Sequence, residues 1–155
     1  MGYSYDYDNE EKRYTPTLLK TNRSMWKLMI LNILTLGIYS ILFFIPVSFD
    51  LDKAAPRADG SRTMNYFVAY LLSFFTGGIV LVVWHYFLAS RIEEALDEKK
   101  IAYGFTTGAF WVWYILGSFI LVGPFVYFHK LCNAMNLLCT AYNEKVTEEA
   151  KRKRA

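Results

Sequence analysis

The sequence predicts an all-α integral membrane protein made of three helix-turn-helix repeats, each broken at glycine. The first reason is that three stretches of the 155-residue chain contain no Asp, Glu, Lys or Arg, namely residues 28–49, 64–90 and 101–128. A helix needs roughly 20 apolar residues to cross the hydrocarbon core of a bilayer, and each stretch reaches that length. The second reason is that each stretch contains glycine at an internal position, where a helix can turn back.

The stretches belong to an internal repeat. The pattern Thr-x-Gly-Ile at residues 35–38 returns 41 residues later at residues 76–79. The third copy lacks the threonine and has a Gly-Pro pair, at an offset of 45 from the second. Glycine adopts left-handed backbone freely, and proline cannot continue a preceding hydrogen-bond ladder. The predicted turn residues are Gly37, Gly77, Gly78, Gly123 and Pro124.

The distribution of positive charge favours hairpins over straight spans. All 17 Lys and Arg residues lie outside the three stretches. Straight spans would divide them 8 to 9 between the two sides of a membrane, whereas three hairpins would place all 17 on one side. Hairpins, re-entrant and too short to cross fully, are therefore the preferred arrangement. Three or four straight transmembrane helices remain the alternatives.

The predicted organisation follows from these boundaries. Residues 1–20 form a mobile polar tail, because acids and tyrosines alternate there without a helical or strand period. Residues 21–143 form the membrane domain, with repeats at about 21–58, 61–100 and 103–143. Residues 144–155 form a basic C-terminal tail.

The placement of charge narrows the expected partners. The net charge is only +3, and four consecutive basic residues lie next to the C-terminal alanine: Lys151, Arg152, Lys153 and Arg154. A basic cluster after a membrane segment marks the cytoplasmic side and attracts anionic lipid, so both termini are expected in the cytoplasm. A nucleic-acid-binding protein would instead have a basic face interleaved with aromatics in a folded domain. The bilayer is the expected partner, and nucleic acid is not.

No catalytic or metal-binding motif is present. Cys132, Cys139 and His129 lie close together in the sequence, but a closed zinc site takes four ligands and no fourth is near. Phosphate loops, zinc-protease motifs and nucleophile elbows are missing from the sequence. We therefore expect no cofactor and no enzymatic activity.

Five polar residues in or beside the stretches are candidates for function: His85, His129, Lys130, Asn32 and Asn65. An ionisable or polar residue in a membrane segment is a functional hypothesis, such as a ligand contact or proton relay. The competing interpretation of the histidines is a structural one at the headgroup level, beside aromatic neighbours.

Gly104 and Gly108 are small residues four positions apart, a spacing that lets two helices pack closely. Packing between the repeats explains it more simply, and self-association is the second hypothesis.

The repeated element resembles one in a known family. Thr35, Gly37, Ile38 and Tyr39, their echo at residues 76–79, the Asp-Gly pair at residues 59–60, and Arg-Ile-Glu at residues 91–93 are similar to the domain-of-unknown-function 4234 (DUF4234) family of small bacterial membrane proteins. The resemblance extends over about residues 20–143. It implies a bacterial inner-membrane location and a repeated helix-turn-helix architecture, and it carries no reaction or cofactor.

Two functional hypotheses follow. A non-enzymatic membrane scaffold or accessory protein is preferred, because the polar segments are too short to form a catalytic domain. The alternative is a small oligomeric channel or transporter, since broken helices and inward-facing polar groups are typical of transport sites.

Overall fold

The protein is all-helical in the computed structural model, which describes residues 17–154. No strand occurs among these residues. The helices are α1 (Met25–Leu34), α2 (Ile38–Ala54), α3 (Tyr66–Phe75), α4 (Ile79–Glu98), α5 (Thr107–Ala109) and α6 (Gly123–Arg154). α5 continues directly into a π-helical segment (Phe110–Ile115) and a 3-10 segment (Leu116–Ile120). The all-α class predicted from the sequence is confirmed.

Each repeat folds back on itself as an antiparallel hairpin. In the first, Arg23 before α1 pairs with Asp50 near the end of α2. In the second, the indole Nε1 of Trp84 donates to the carbonyl oxygen of Met64 at 2.7 Å. The third is closed by the ammonium of Lys130, 3.2 Å from the Gly104 carbonyl oxygen. The chain therefore adopts three hairpins rather than straight rods.

Bilayer-crossing helices are not seen in the described part of the chain. Over residues 17–154, no helix is both long enough and apolar enough to span a membrane.

The Thr-x-Gly element builds the first two turns in the same way. The Thr35 hydroxyl donates to the Leu31 carbonyl at 2.7 Å and accepts the N–H of Tyr39 at 2.9 Å. Thr76 makes the equivalent two bonds, with the carbonyl of residue 72 at 3.2 Å and the N–H of residue 80 at 3.4 Å. One hydroxyl thus links the end of one helix to the start of the next. The glycines that follow, Gly37 (φ 95°) and Gly78 (φ 93°), are left-handed, which costs glycine little.

The third turn differs from the prediction. Its left-handed residue is Leu121 (φ 63°), whereas Gly123 starts α6 and Pro124 lies in the first turn of that helix, where proline is tolerated. Gly123 has another role: a Cβ there would collide with the carbonyl oxygen of Trp113 and the backbone of Gly117. The glycine permits close packing of the two arms and does not form the turn.

Burial also corrects the register of the third repeat. The buried positions Leu88, Ile92 and Ala95 on α4 recur on α6 as Leu131, Met135 and Leu138, all 2% exposed or less. This spacing is 43 residues, not the predicted 45. The same offset carries Gly78 onto Leu121, so the turn and the core agree.

The hairpins close into a ring. The second arm of each hairpin contacts the first arm of the following one, and the third contacts the first: α2 with α3, α4 with α5, and α6 with α1. At each junction a side-chain oxygen of a second arm accepts a backbone N–H where the next unit begins. These pairs are Asp52 with Thr63 (3.0 Å), Glu93 with Thr107 (2.6 Å) and Asn136 with Arg23 (2.8 Å). The three acceptors are spaced by 41 and 43 residues, so they are equivalent positions of the repeat.

Both predicted tails contribute to the packed structure. Of the tail predicted at residues 1–20, only the last four residues are described, and among them Leu19 is buried. The side chain of Asn143 exchanges two hydrogen bonds with the Leu19 backbone, at 2.7 and 2.8 Å. The region predicted as a basic tail continues α6 to Arg154, with Val146 and Ala150 buried.

Candidate functional site

One end of the ring carries large apolar side chains in solvent. Leu36 is 92% exposed, Phe74 87% and Phe119 87%, one at each of the three turns. Their exposed neighbours are Ile33, Leu34, Ile38, Phe75, Ile79, Ile120, Leu121 and Val122. We call this set the turn end. Contiguous apolar surface of this kind marks an interaction with protein or membrane.

The opposite end is charged. Arg91 is 4% exposed and lies 2.8 Å from the carboxylate of Asp52, while its guanidinium also donates to the Thr63 hydroxyl at 2.6 Å. Burial lowers the pKa of Arg91, and the neighbouring Asp52 acts against that shift. Arg23 is buried as well, paired with Asp50. We call this the base. Charge and apolar surface are thus separated along the hairpin axes.

A cavity of about 850 Å³ lies between the three hairpins, on the side of the turns. Gly37 and Phe119, from the first and third turns, line its outer part. Phe44, Tyr66 and His85, all buried, line its inner part. The complete lining is Leu28, Met29, Asn32, Gly37, Ser40, Phe44, Tyr66, Tyr70, Leu81, Val82, His85, Tyr114, Ile115, Ser118, Phe119, Pro124 and Phe128. None of these residues is acidic, lysine or arginine.

His85 is the unusual member of the cavity wall. Its ring centroid lies 5.0 Å from that of Phe44, 5.2 Å from Tyr114 and 5.6 Å from Phe128. Burial among these rings lowers its pKa to about 3, so the imidazole is neutral at pH 7. Its buried Nδ1 has no hydrogen-bond partner among the described residues. A buried polar atom without a partner costs stability and therefore points to a function or a ligand.

The structure brings two of the five predicted polar residues to this cavity and separates the other three from it. His85 and Asn32 line it, and the Asn32 side-chain oxygen accepts the N–H of Ser40 at 3.0 Å. Asn65 caps the start of α3 by accepting the N–H of residue 67 at 2.9 Å. Lys130 binds a carbonyl at the base, and exposed His129 lies 3.1 Å from the amide of residue 133. The sequence did not single out Tyr66 and Tyr114, because tyrosine in an apolar run is indistinguishable from core.

The two cysteines are core residues. Cys132 and Cys139 are at most 1% exposed, and burial raises the pKa of Cys132 to about 12. The Arg23 guanidinium donates to the Cys139 sulfur at 3.4 Å. Within residues 17–154, no cluster of three His, Cys, Asp or Glu side chains is arranged to hold a metal ion.

The predicted small-residue step does not exist as a helix face. Gly104 lies in a non-helical segment, and helix begins only at Thr107, whose N–H and hydroxyl both donate to Glu93. Since Gly104 and Gly108 do not share a helix, their spacing gives no support for a homo-oligomer.

Comparison with known proteins locates the family resemblance. Residues 23–94 match the family described as a domain of unknown function, DUF4234. The match covers the first two hairpins, just under half of the chain, and is shorter than the range expected from the sequence. The third hairpin, in which the turn threonine is missing and the glycine has moved, lies outside it. No curated protein and no solved structure shows significant similarity to the chain.

Proposed function

We propose that this chain, whose residues 23–94 belong to the DUF4234 family, is a non-enzymatic membrane scaffold or accessory protein that inserts its turn end into one leaflet of a bilayer. The observation that carries the proposal is the separation of the exposed apolar turns from the charged base. In a bacterium, the base and its positive charge would face the cytoplasm, on the inner membrane.

In the first two hairpins, the depth of the apolar end agrees with one leaflet. From the turn to the first charged residue, α2 has residues 38–49 and α4 has residues 79–90, which is 12 residues in each arm. At 1.5 Å per residue each arm is about 18 Å long. Half of a hydrocarbon core of about 30 Å is roughly 15 Å.

Backbone strain at the first turn supports the same function. Leu36 is left-handed (φ 51°), at the position equivalent to Gly77 (φ 61°) in the second hairpin. A non-glycine residue in this region costs about 1–2 kcal/mol. Such a cost is tolerated where it serves a purpose, and here it places an apolar side chain that is 92% exposed in the first turn.

The base offers a place for an anionic headgroup. A groove of about 410 Å³ on the outside of the second hairpin runs past Ile79, Val83 and Phe87 and reaches Arg57 and Arg62. Arginine binds phosphate oxygens through paired hydrogen bonds. We assign the contact with anionic lipid to the loop between α2 and α3, which contains Arg57 and Arg62.

The basic end of α6 is better suited to a partner protein than to lipid. At 1.5 Å per residue, Lys151 stands about 30 Å beyond Lys130 along α6, away from the turns. The exposed residues Glu148, Glu149 and Lys151 lie on this projecting part. We therefore assign docking of a partner protein to this part of α6, and this assignment is the basis for a scaffold role.

The channel or transporter hypothesis has weaker support. It needs polar groups along a common path, whereas His85 and Asn32 line the cavity, and Asn65 and Lys130 make local contacts elsewhere.

Vesicle flotation tests membrane insertion. The wild-type chain, added to preformed vesicles containing anionic lipid, is expected to float with them. A triple variant at the turns (Leu36→Asp, Phe74→Asp, Phe119→Asp) is expected to stay at the bottom of the gradient with unchanged helicity. A matched triple variant at exposed base positions outside the loop of Arg57 and Arg62 (Asn22→Asp, Ala102→Asp, Thr140→Asp) has the same added charge and should still float. Flotation of both variants alike would contradict insertion of the turns.

Site-specific photo-crosslinking in cells separates the two ends. A benzophenone amino acid at Phe74 should yield lipid adducts, and one at Glu149 should yield protein adducts. If neither position gives protein adducts, the scaffold role is rejected. That result would not affect the proposal of membrane insertion. Labelling of Phe74→Cys from the outer face by an impermeant maleimide would show a complete crossing instead of insertion into one leaflet.

A further inference from the structure

We propose that the central cavity binds an uncharged amphiphile with a single apolar chain and a hydroxyl head, inserted head first so that the hydroxyl reaches His85. The inference rests on the proposed function only in that the bilayer would supply this ligand. The binding chemistry itself depends on the cavity alone.

The size and lining of the cavity define the class of ligand. At about 850 Å³ it lies within the range of about 300–1,000 Å³ in which proteins hold small organic molecules. Its wall has apolar and aromatic side chains from all three hairpins and no charged group. An ionised phosphate or carboxylate would be buried there without a counter-charge, at high cost. The ligand is therefore neutral.

The entrance of the cavity defines the direction of insertion. Phe119 and Ser118 line it near the third turn and are exposed, while Phe44 and His85 line its inner part and are buried. A molecule entering from the turn end would keep its apolar tail beside the exposed turns. Only its leading group would reach the inner part.

His85 defines the head. A neutral imidazole has one nitrogen that donates and one that accepts. A hydroxyl can do both, so it can pair with the His85 ring in either tautomer. The unpartnered Nδ1 is itself buried, so pairing at that atom requires the ring to turn toward the cavity. Tyr66 and Tyr114 line the same cavity and supply further hydroxyls within the aromatic wall. A plain hydrocarbon chain would fill the space and leave His85 unsatisfied.

The test uses the full chain in detergent, with dodecanol, dodecanoate and dodecane as probes. Native mass spectrometry reports binding, and so does the change in tryptophan fluorescence, to which Trp84 contributes because its ring lies 5.1 Å from that of His85. We expect one dodecanol per chain, with dodecanoate and dodecane at least about tenfold weaker, the ratio that one hydrogen bond to a buried group produces.

Two pairs of variants make the test specific. His85→Phe should weaken dodecanol binding about tenfold and leave dodecane binding unchanged. His129→Phe, which alters the exposed histidine outside the cavity, should bind dodecanol like the wild type. Leu81→Trp, in the cavity wall, should abolish binding of dodecanol and of dodecane, whereas Leu71→Trp, on the exposed side of α3 and outside the cavity, should not. Thermal unfolding checks that each variant is folded.

Three outcomes would overturn the proposal. If dodecane and dodecanol bind with equal affinity, and His85→Phe changes neither affinity, the cavity binds hydrocarbon chains without recognising a head group. Tighter binding of dodecanoate would show a carboxylate site, and no binding by folded protein would show that the cavity has another role. Since no bilayer is present, dodecanol binding by a chain that fails to float on vesicles would reject only membrane insertion. Flotation without dodecanol binding would reject only the ligand.

Discussion

The guanidinium of Arg91 and the carboxylate of Asp52 lie 2.8 Å apart across the junction of the first two hairpins. The same carboxylate accepts the N–H of Thr63 at 3.0 Å and its hydroxyl at 2.7 Å. One side chain thus neutralises a buried cation and holds the start of the second hairpin.

Replacing Asp52 with Asn should destabilise the fold. Breaking a buried ion pair by removing one partner costs about 3–5 kcal/mol, and because Asp52 is 17% exposed we expect about 2–3 kcal/mol. Chemical denaturation in detergent, followed by circular dichroism, measures the free energy of unfolding. Asp59→Asn in the exposed loop is the control and should leave the unfolding midpoint in place. Equal shifts for both variants would show that the Arg91 contact contributes nothing.

Replacing Leu36 with Gly should change stability and membrane binding in opposite directions. Glycine removes the left-handed strain, so the free energy of unfolding in detergent should rise by about 1 kcal/mol. Loss of the exposed side chain should reduce vesicle binding. Lys100 is also left-handed (φ 54°) but lies at the base, so Lys100→Gly should stabilise the fold without weakening vesicle binding. A loss of vesicle binding by both variants would show that Leu36 has no special role.

His85 should make the fold sensitive to acid. Its pKa is lowered to about 3 in the folded state and is about 6.5 when unfolded. Between these values the unfolded state takes up a proton that the folded state does not, so stability falls as pH decreases from about 6.5 toward 3. The loss is on the order of 1 kcal/mol per pH unit. Denaturation of wild type and His85→Phe at pH 7, 6, 5 and 4 measures it. The variant should lose less stability, and parallel curves would contradict a neutral buried His85.

The cysteines should resist alkylation in the folded protein. Burial raises the pKa of Cys132 to about 12 and that of Cys139 above its usual value, so neither thiol is ionised at pH 8. Iodoacetamide labelling, followed by mass spectrometry, should be slow in the native state and complete after unfolding. Thr140→Cys adds an exposed thiol on the same helix and should label at once. Rapid native labelling of Cys132 would show that α6 opens locally.

The sequence predicted the local features best. Thr35 and Gly37 recur as Thr76 and Gly78, and the hydroxyl bonds and left-handed backbone of the two turns explain why those residue types are needed. The third turn could not be located in this way, because its left-handed residue is Leu121. Leucine is rare in that conformation, so the residue type does not predict a left-handed backbone at this position.

The contacts that join the hairpins could not be predicted. Asn136 binds the Arg23 backbone from 113 residues away, and the spacing of the repeat does not show that the third hairpin packs against the first. The sequence makes His85 a candidate because it is an ionisable residue inside an apolar stretch. Its unpartnered nitrogen and the cavity beside it exist only because three hairpins meet there.

The ring of hairpins has a topological consequence. Asp52, Glu93 and Asn136 make the same kind of junction, so the contact between the last and the first hairpin is formed like the two contacts between hairpins that are consecutive in the chain. The linear order of the units along the polypeptide is then one of three cyclic permutations of a single architecture. The three junctions are therefore pseudo-equivalent around the central cavity, while the hairpins that they join differ.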